Sequence, residues 1–189
     1  MSLYTLQTIP LTCAPSTGGV ADIYMFDKSL VTFTVAGSPP SSYSAIAAVT
    51  PGDTPLYKLG FLQGMGEFNI ERKGTDPSIE YDHKVSAYVP KMDKYLASYF
   101  NMLDSASICG VGLLVRTNDG VYWILGEGMV GGAAIAEQFR VTLDTNTKSG
   151  VGKKFGDQNG TLFSFTGSYK RPAYVGTFSD ASVAALIAP

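Results

Sequence analysis

At 189 residues, 45% of them hydrophobic and only 16% charged, the chain is long enough for one full hydrophobic core and has far less charge than the roughly 25% of an ordinary soluble protein. Lys and Arg number 14 against 16 Asp and Glu. The net charge of −2 excludes the basic field that draws a protein onto nucleic acid or an anionic membrane. A single β-rich domain over 1–189 is expected, with a Ser, Thr, Gly and Tyr surface suited to protein contacts.

The opening MSLYTLQTIPLTCAP has no basic start, and Thr and Pro interrupt its apolar residues. It reads as a flexible arm over about 1–18 rather than a secretion signal, which points to synthesis in the cytoplasm. Cys13 and Cys109 are too few for a disulfide framework and lie in no metal-binding spacing, so both read as reduced packing residues. From Ala21 to Val35, ADIYMF and LVTFTV are β-branched and aromatic runs separated by Asp27, Lys28 and Ser29, a hairpin or two consecutive strands. Pro39 and Pro40, then Pro51, Gly52, Asp53 and Pro55, enforce loops on either side of a short strand at Tyr43–Val49. Leu56–Arg72 is apolar and punctuated by Gly60, Gly64 and Gly66, the pattern of a bulged or bent hairpin able to reach a neighbour.

Ile79–Val89 alternates strictly, with Ile79, Tyr81, His83, Val85, Ala87 and Val89 on one face. After Pro90 the period changes: Met92, Tyr95, Leu96, Tyr99, Phe100 and Leu103 follow helical spacing, which predicts one flanking α-helix over about 91–104. ICGVGLLVR, the turn TNDG and VYWIL form a hairpin apolar on both faces, expected centrally against that helix. Glu137–Asp144 and Thr161–Tyr169 alternate as two further strands, the second preceded by a turn at Asp157–Gly160. The remainder, about 170–189 and ending AALIAP, reads as a flexible tail. The fold class expected is mainly β, a β-sandwich or rolled antiparallel sheet with one flanking helix.

Little in the sequence favours catalysis. His83 is the only histidine, and its place on the apolar face of an alternating strand suits a packed core residue better than a general base. No GxSxG elbow is present and neither cysteine is flanked by charge. GEGMVG at Gly126–Gly131 matches GxGxxG formally, but the segment behind it runs into another strand with no room for a crossover helix. Glu80 and Asp82 lie on a wet strand face and serve solubility there; Asn159-Gly160-Thr161 is simply a turn. No catalytic, cofactor-binding or metal residue is assigned. Eleven tyrosines and ten phenylalanines on a weakly charged surface instead supply anchors of the kind buried between proteins, or an ordinary β-sandwich core.

Two strings carry a resemblance: VSAYVPKMDKYLASYFNMLDSASICGVGLLVRTNDGVYWILGEG, and SGVGKKFGDQNGTLFSFTGSYKRPAYVG. They resemble bacteriophage tail tube proteins and related tail or ring structural proteins, whose chains carry a similar "DNGxYWxLG … FGDxNGxTLTFTG" run. The matching positions are Val121, Tyr122, Trp123, Leu125 and Gly126, with Phe155, Gly156, Asp157, Asn159, Gly160, Phe165 and Gly167. The resemblance covers about half the chain and rests on turn and core residues. It implies a non-enzymatic virion component, a homo-oligomeric ring, in that family usually of six copies, that forms or caps the phage tail tube as a DNA-ejection channel. The implied partners are copies of itself and neighbouring tail or connector proteins, with DNA only in passage through a lumen and no membrane. In such a ring the Leu56–Arg72 segment, the N-terminal arm and the C-terminal tail are assigned to subunit contacts, with Leu59, Phe61, Leu62, Met65, Phe68, Ile70 and Arg72 as candidate interface residues. A connector ring, a head decoration and an Ig-like β-sandwich binding module are the alternatives.

Overall fold

The chain is seen in a computed structural model that describes residues 18–36, 42–74, 79–90, 111–126, 129–130, 133–134, 142–143, 148–150, 160–169 and 172–188. The two strictly alternating stretches become the longest strands. β6 (Glu80–Pro90) buries His83, Val85 and Ala87, and β13 (Gly160–Tyr169) buries Phe163, Phe165 and Tyr169 on the matching parity. They pair antiparallel along their length, Phe163 opposite Ala87 and Phe165 opposite Val85. β5 (Gly66–Lys73) pairs on the other side of β6, and the short β11 (Thr142–Leu143) and β12 (Lys148–Gly150) pair along the free edge of β13. This is the smaller sheet, in the order β11-β13-β6-β5.

The larger sheet takes the remaining strands: β1 (Val20–Phe26), β2 (Val31–Ala36), β3 (Ser42–Ala48), β4 (Tyr57–Leu59), β7 (Gly112–Thr117), β8 (Tyr122–Leu125), β9 (Met129–Val130), β10 (Ala133–Ala134) and β14 (Tyr174–Gly176). Its order is β10-β9-β2-β3-β14-β8-β7-β1-β4. The β7–β8 hairpin turns at TNDG with Gly120 at φ +82°, which a side chain rarely adopts. The hairpin is central, as its doubly apolar sequence requires. Leu113 and Val115 face the smaller sheet while Leu114 faces away, and β1 divides likewise, Ile23 and Met25 against Tyr24 and Phe26.

Two cores result. One lies between the sheets, where Ile23, Met25, Leu113 and Val115 meet Val85, Phe163 and Phe165. The other fills the curled outer face of the larger sheet with an aromatic row: Phe26 to Phe33 at 5.8 Å, Phe33 to Tyr43 at 5.0 Å and Tyr43 to Tyr174 at 4.9 Å between ring centroids. The helix α1 (Asp180–Ala184) closes it, capped by Ser179 and burying Val183. Beyond α1 the chain reaches the β4 end of the sheet, where the Leu56 N–H donates to the Leu186 carbonyl at 3.0 Å and the Ala188 N–H to the Leu56 carbonyl at 2.8 Å.

The fold is mainly β with one short helix among the described residues. Two sequence expectations need correction. The stretch read as a flexible tail over 170–189 contains β14 and α1, because Tyr174, Phe178 and Val183 are buried in the second core. Of the two readings of Ala21–Val35, consecutive strands holds and the hairpin does not, since β3, β14, β8 and β7 stand between β1 and β2. Leu56–Arg72 is not a hairpin either: β4 pairs with β1 in the larger sheet and β5 with β6 in the smaller, so this segment carries the chain from one sheet to the other. The expected helix over 91–104, the arm at 1–17, both cysteines and the Asp157–Asn159 part of the turn lie outside the described residues.

Candidate functional site

β5 lies at the edge of the smaller sheet, and the chain enters it by a tight turn. The Met65 N–H returns to the Leu62 carbonyl at 3.0 Å, with Gly64 at φ +81°. Gly66 then admits the Phe61 ring, which a Cβ there would meet at 2.7 Å. Among the described residues β5 pairs with β6 alone, and no described strand meets its second edge.

The interface candidates separate on this frame. Leu59 is 5% exposed in the core between the sheets and is unavailable to a neighbour; Phe61 packs against the same core. Leu62 and Met65 stand out at 46% and 42% exposure. The backbone of Tyr88 receives the Leu62 N–H and donates to the Met65 carbonyl, and Leu162, 39% exposed, lies opposite Tyr88 on β13. Three exposed apolar side chains therefore arise from adjoining backbone at one end of the outer face. Phe68 and Ile70 are half-buried on the inner face, and Arg72 is exposed.

Beside β5 opens a depression of about 320 Å³ that the sequence did not reveal. Phe68 and Ile70 of β5, Trp123 of β8, Thr117 and Asp119 of the β7–β8 turn, and Gly18 and Gly19 line it. The Phe68 and Trp123 rings lie 5.7 Å apart at 50°, and the Asp119 carboxylate accepts from the Thr117 hydroxyl. The site is thus an aromatic platform with one acidic wall, adjoining an open strand edge. In sequence Trp123 stands among residues of a central strand, and nothing local separates a rim tryptophan from a core one.

His83 is 2% exposed, as its strand position required, and stacks on Tyr169 at 4.4 Å. Neither ring nitrogen has a hydrogen-bond partner among the described residues. Burial pushes its pKa down to about 4, against the weak upward pull of Asp82. That environment holds the ring neutral and keeps it away from solvent and substrate. Asp82 receives the Lys73 ammonium at 2.5 Å and the Ser168 hydroxyl, which hold its carboxyl below the usual range. At GEGMVG the chain continues into β9, paired with β2, where a dinucleotide site would need a helix.

A second polar cluster ties α1 to the sheet. Tyr122 donates to Asp180 at 2.7 Å, Arg116 donates to the other Asp180 oxygen at 2.5 Å and approaches Asp22 at 3.5 Å, and Lys58 meets Asp22 at 2.6 Å. Burial and then the Asp180 carboxylate raise the Tyr122 pKa. These alternating charges satisfy one another and hold the fold together. No group of three or more His, Cys, Asp or Glu among the described residues could hold a metal ion, and no described helix is long and apolar enough to cross a membrane. Comparison of the chain with protein-family models, with curated proteins and with solved structures finds no match.

Proposed function

We propose that this chain is a non-enzymatic structural subunit that self-assembles into closed rings, hexameric by the resemblance noted in its sequence, to form or cap the tail tube of a bacteriophage. The supporting observation is the cluster of exposed apolar side chains Leu62, Met65 and Leu162 at one end of the smaller sheet's outer face. Exposed apolar side chains gathered on one surface invite contact with another chain, and a ring buries them without uncontrolled growth. The low charge content fits a surface that spends its life against neighbours. A binding module of the β-sandwich kind is the second reading, favoured by the depression at Trp123, which is concave, largely apolar and carries one carboxylate.

Light scattering behind a sizing column, with negative-stain images of the same fractions, separates the two. Discrete rings or tubes support the virion subunit. A clean monomer over a wide concentration range refutes it and puts the binding module first.

A further inference from the structure

We infer that β5 pairs with β5 of a second copy, antiparallel and centred on Ile70, joining two of the smaller sheets into one. The inference goes beyond the ring: a ring closes through unlike surfaces, whereas here the same strand meets itself across a twofold axis.

The backbone sets which residues can pair. The Tyr88 N–H donates to the Met65 carbonyl at 3.2 Å, and Met65 continues the β5–β6 register in which Gly66 faces Ala87. Hydrogen-bonded and non-bonded pairs alternate in an antiparallel ladder, so odd-numbered β5 residues turn their backbone groups to β6. Gly66, Phe68, Ile70 and Arg72 turn theirs outward, and any strand added here bonds to those.

The side chains then select the register. With Ile70 opposite itself, each Phe68 faces Arg72 of the second copy on the inner side, while Glu67 faces Lys73 and Asn69 faces Glu71 on the outer side. Every charge meets an opposite charge, an aromatic ring or an amide. Moving the centre to Asn69 puts Glu67 against Glu71, and centring on Glu71 or Arg72 puts that charge against itself, all repulsive, while centring on Phe68 leaves Arg72 and Lys73 beyond the end of the second copy's β5. The depression supplies an independent fit. Arg72 forms no salt bridge among the described residues, and in this register the second copy's guanidinium arrives over Phe68, next to Trp123 and the Asp119 carboxylate. A cation over aromatic rings with a carboxylate alongside is a strong site for Arg. The groove and the strand edge thus take the same occupant.

Charge exchange tests the register in the full chain. Glu67→Lys and Lys73→Glu should each weaken dimerisation, measured by sedimentation over a dilution series, by about tenfold or more. The double variant should recover most of the loss. Lys73→Glu also removes the pairing with Asp82, but the double variant lacks that contact too, so recovery can come only from the contact between copies. In a Cys13→Ser, Cys109→Ser background, Ile70→Cys should form an intermolecular disulfide on oxidation, since facing residues lie about 5.5 Å apart. Glu67→Cys should not, its two copies being about 20 Å apart along the strands. A monomer at all concentrations, an oligomer indifferent to the charge exchange, or cross-linking at position 67 in place of 70 overturns the inference. Dimers without rings leave it standing and refute the ring; rings unchanged by Glu67→Lys do the opposite.

Discussion

Lowering the pH from 7 to 5 should destabilise the protein by about 2 kcal/mol through His83 alone. The ring sits between Gly167 of β13 and Ile70 of β5, stacked on Tyr169, with Asp82 the adjacent charge. Its folded pKa, pushed down to about 4, lies below the roughly 6.5 of an unfolded histidine, so the unfolded chain binds the proton more readily. Stability from this group is therefore full above pH ~6.5 and is lost as pH falls from there through about 4. Over pH 7 to 5 the two titration curves differ by about 2 kcal/mol. Asp82 does not interfere, because its lowered pKa places its own loss below the usual carboxylate range. Urea unfolding at pH 7, 6 and 5, followed by the fluorescence of Trp123, the single tryptophan, gives the measurement. His83→Phe keeps the stacked ring and removes the proton site. It should be within about 1 kcal/mol of the parent at pH 7 and lose most of the pH dependence. Equal losses in the two proteins would show that His83 is solvated or partnered, and the reasoning fails.

Three further outcomes follow from packing. Gly112→Ala puts a Cβ into the ring of Phe26, its partner on the neighbouring strand β1, and should cost about 1–3 kcal/mol in thermal or urea unfolding. Asp180→Ala leaves the buried Tyr122 hydroxyl without its carboxylate and should cost about 1–3 kcal/mol, while Asp180→Asn, which keeps an acceptor, costs less. Val183→Asp puts a charge into the second core and should cost about 3 kcal/mol or more, with proteolysis after Gly176 as the first sign that α1 has left the sheet.

The strands that could be read directly were those with one wet face. In β6, and in β13 from Leu162 onward, each buried residue alternates with exposed or half-exposed ones, so the period of two survives in the sequence. The β7–β8 hairpin was legible for another reason, since TNDG marks the reversal and its apolar flanks mark the centre. Partner choice was not legible. Asp27, Lys28 and Ser29 form a turn, with the Asp27 carboxylate accepting from the Ser29 N–H at 2.8 Å, yet the strands on either side part company. β14 is too short to show any period, and Tyr174, Phe178 and Val183 are scattered among Ser, Ala and Pro, so their burial comes from tertiary packing alone. Of the candidate site, Phe68, Ile70 and Arg72 could be named from the apolar segment around Gly60 and Gly66. Trp123 and Asp119 join them only because two sheets meet there.

Within the larger sheet, β14 is the only described link between β10-β9-β2-β3 and β8-β7-β1-β4. A nascent chain therefore holds two half-sheets, each with a raw edge, until Tyr174–Gly176 has been synthesised. Three residues then close both edges at once, Val175 opposite Ser42 on one side and Trp123 on the other. Between the completion of β8 and that of β14 both edges are open to sticking, and shielding them falls to whatever meets the growing chain.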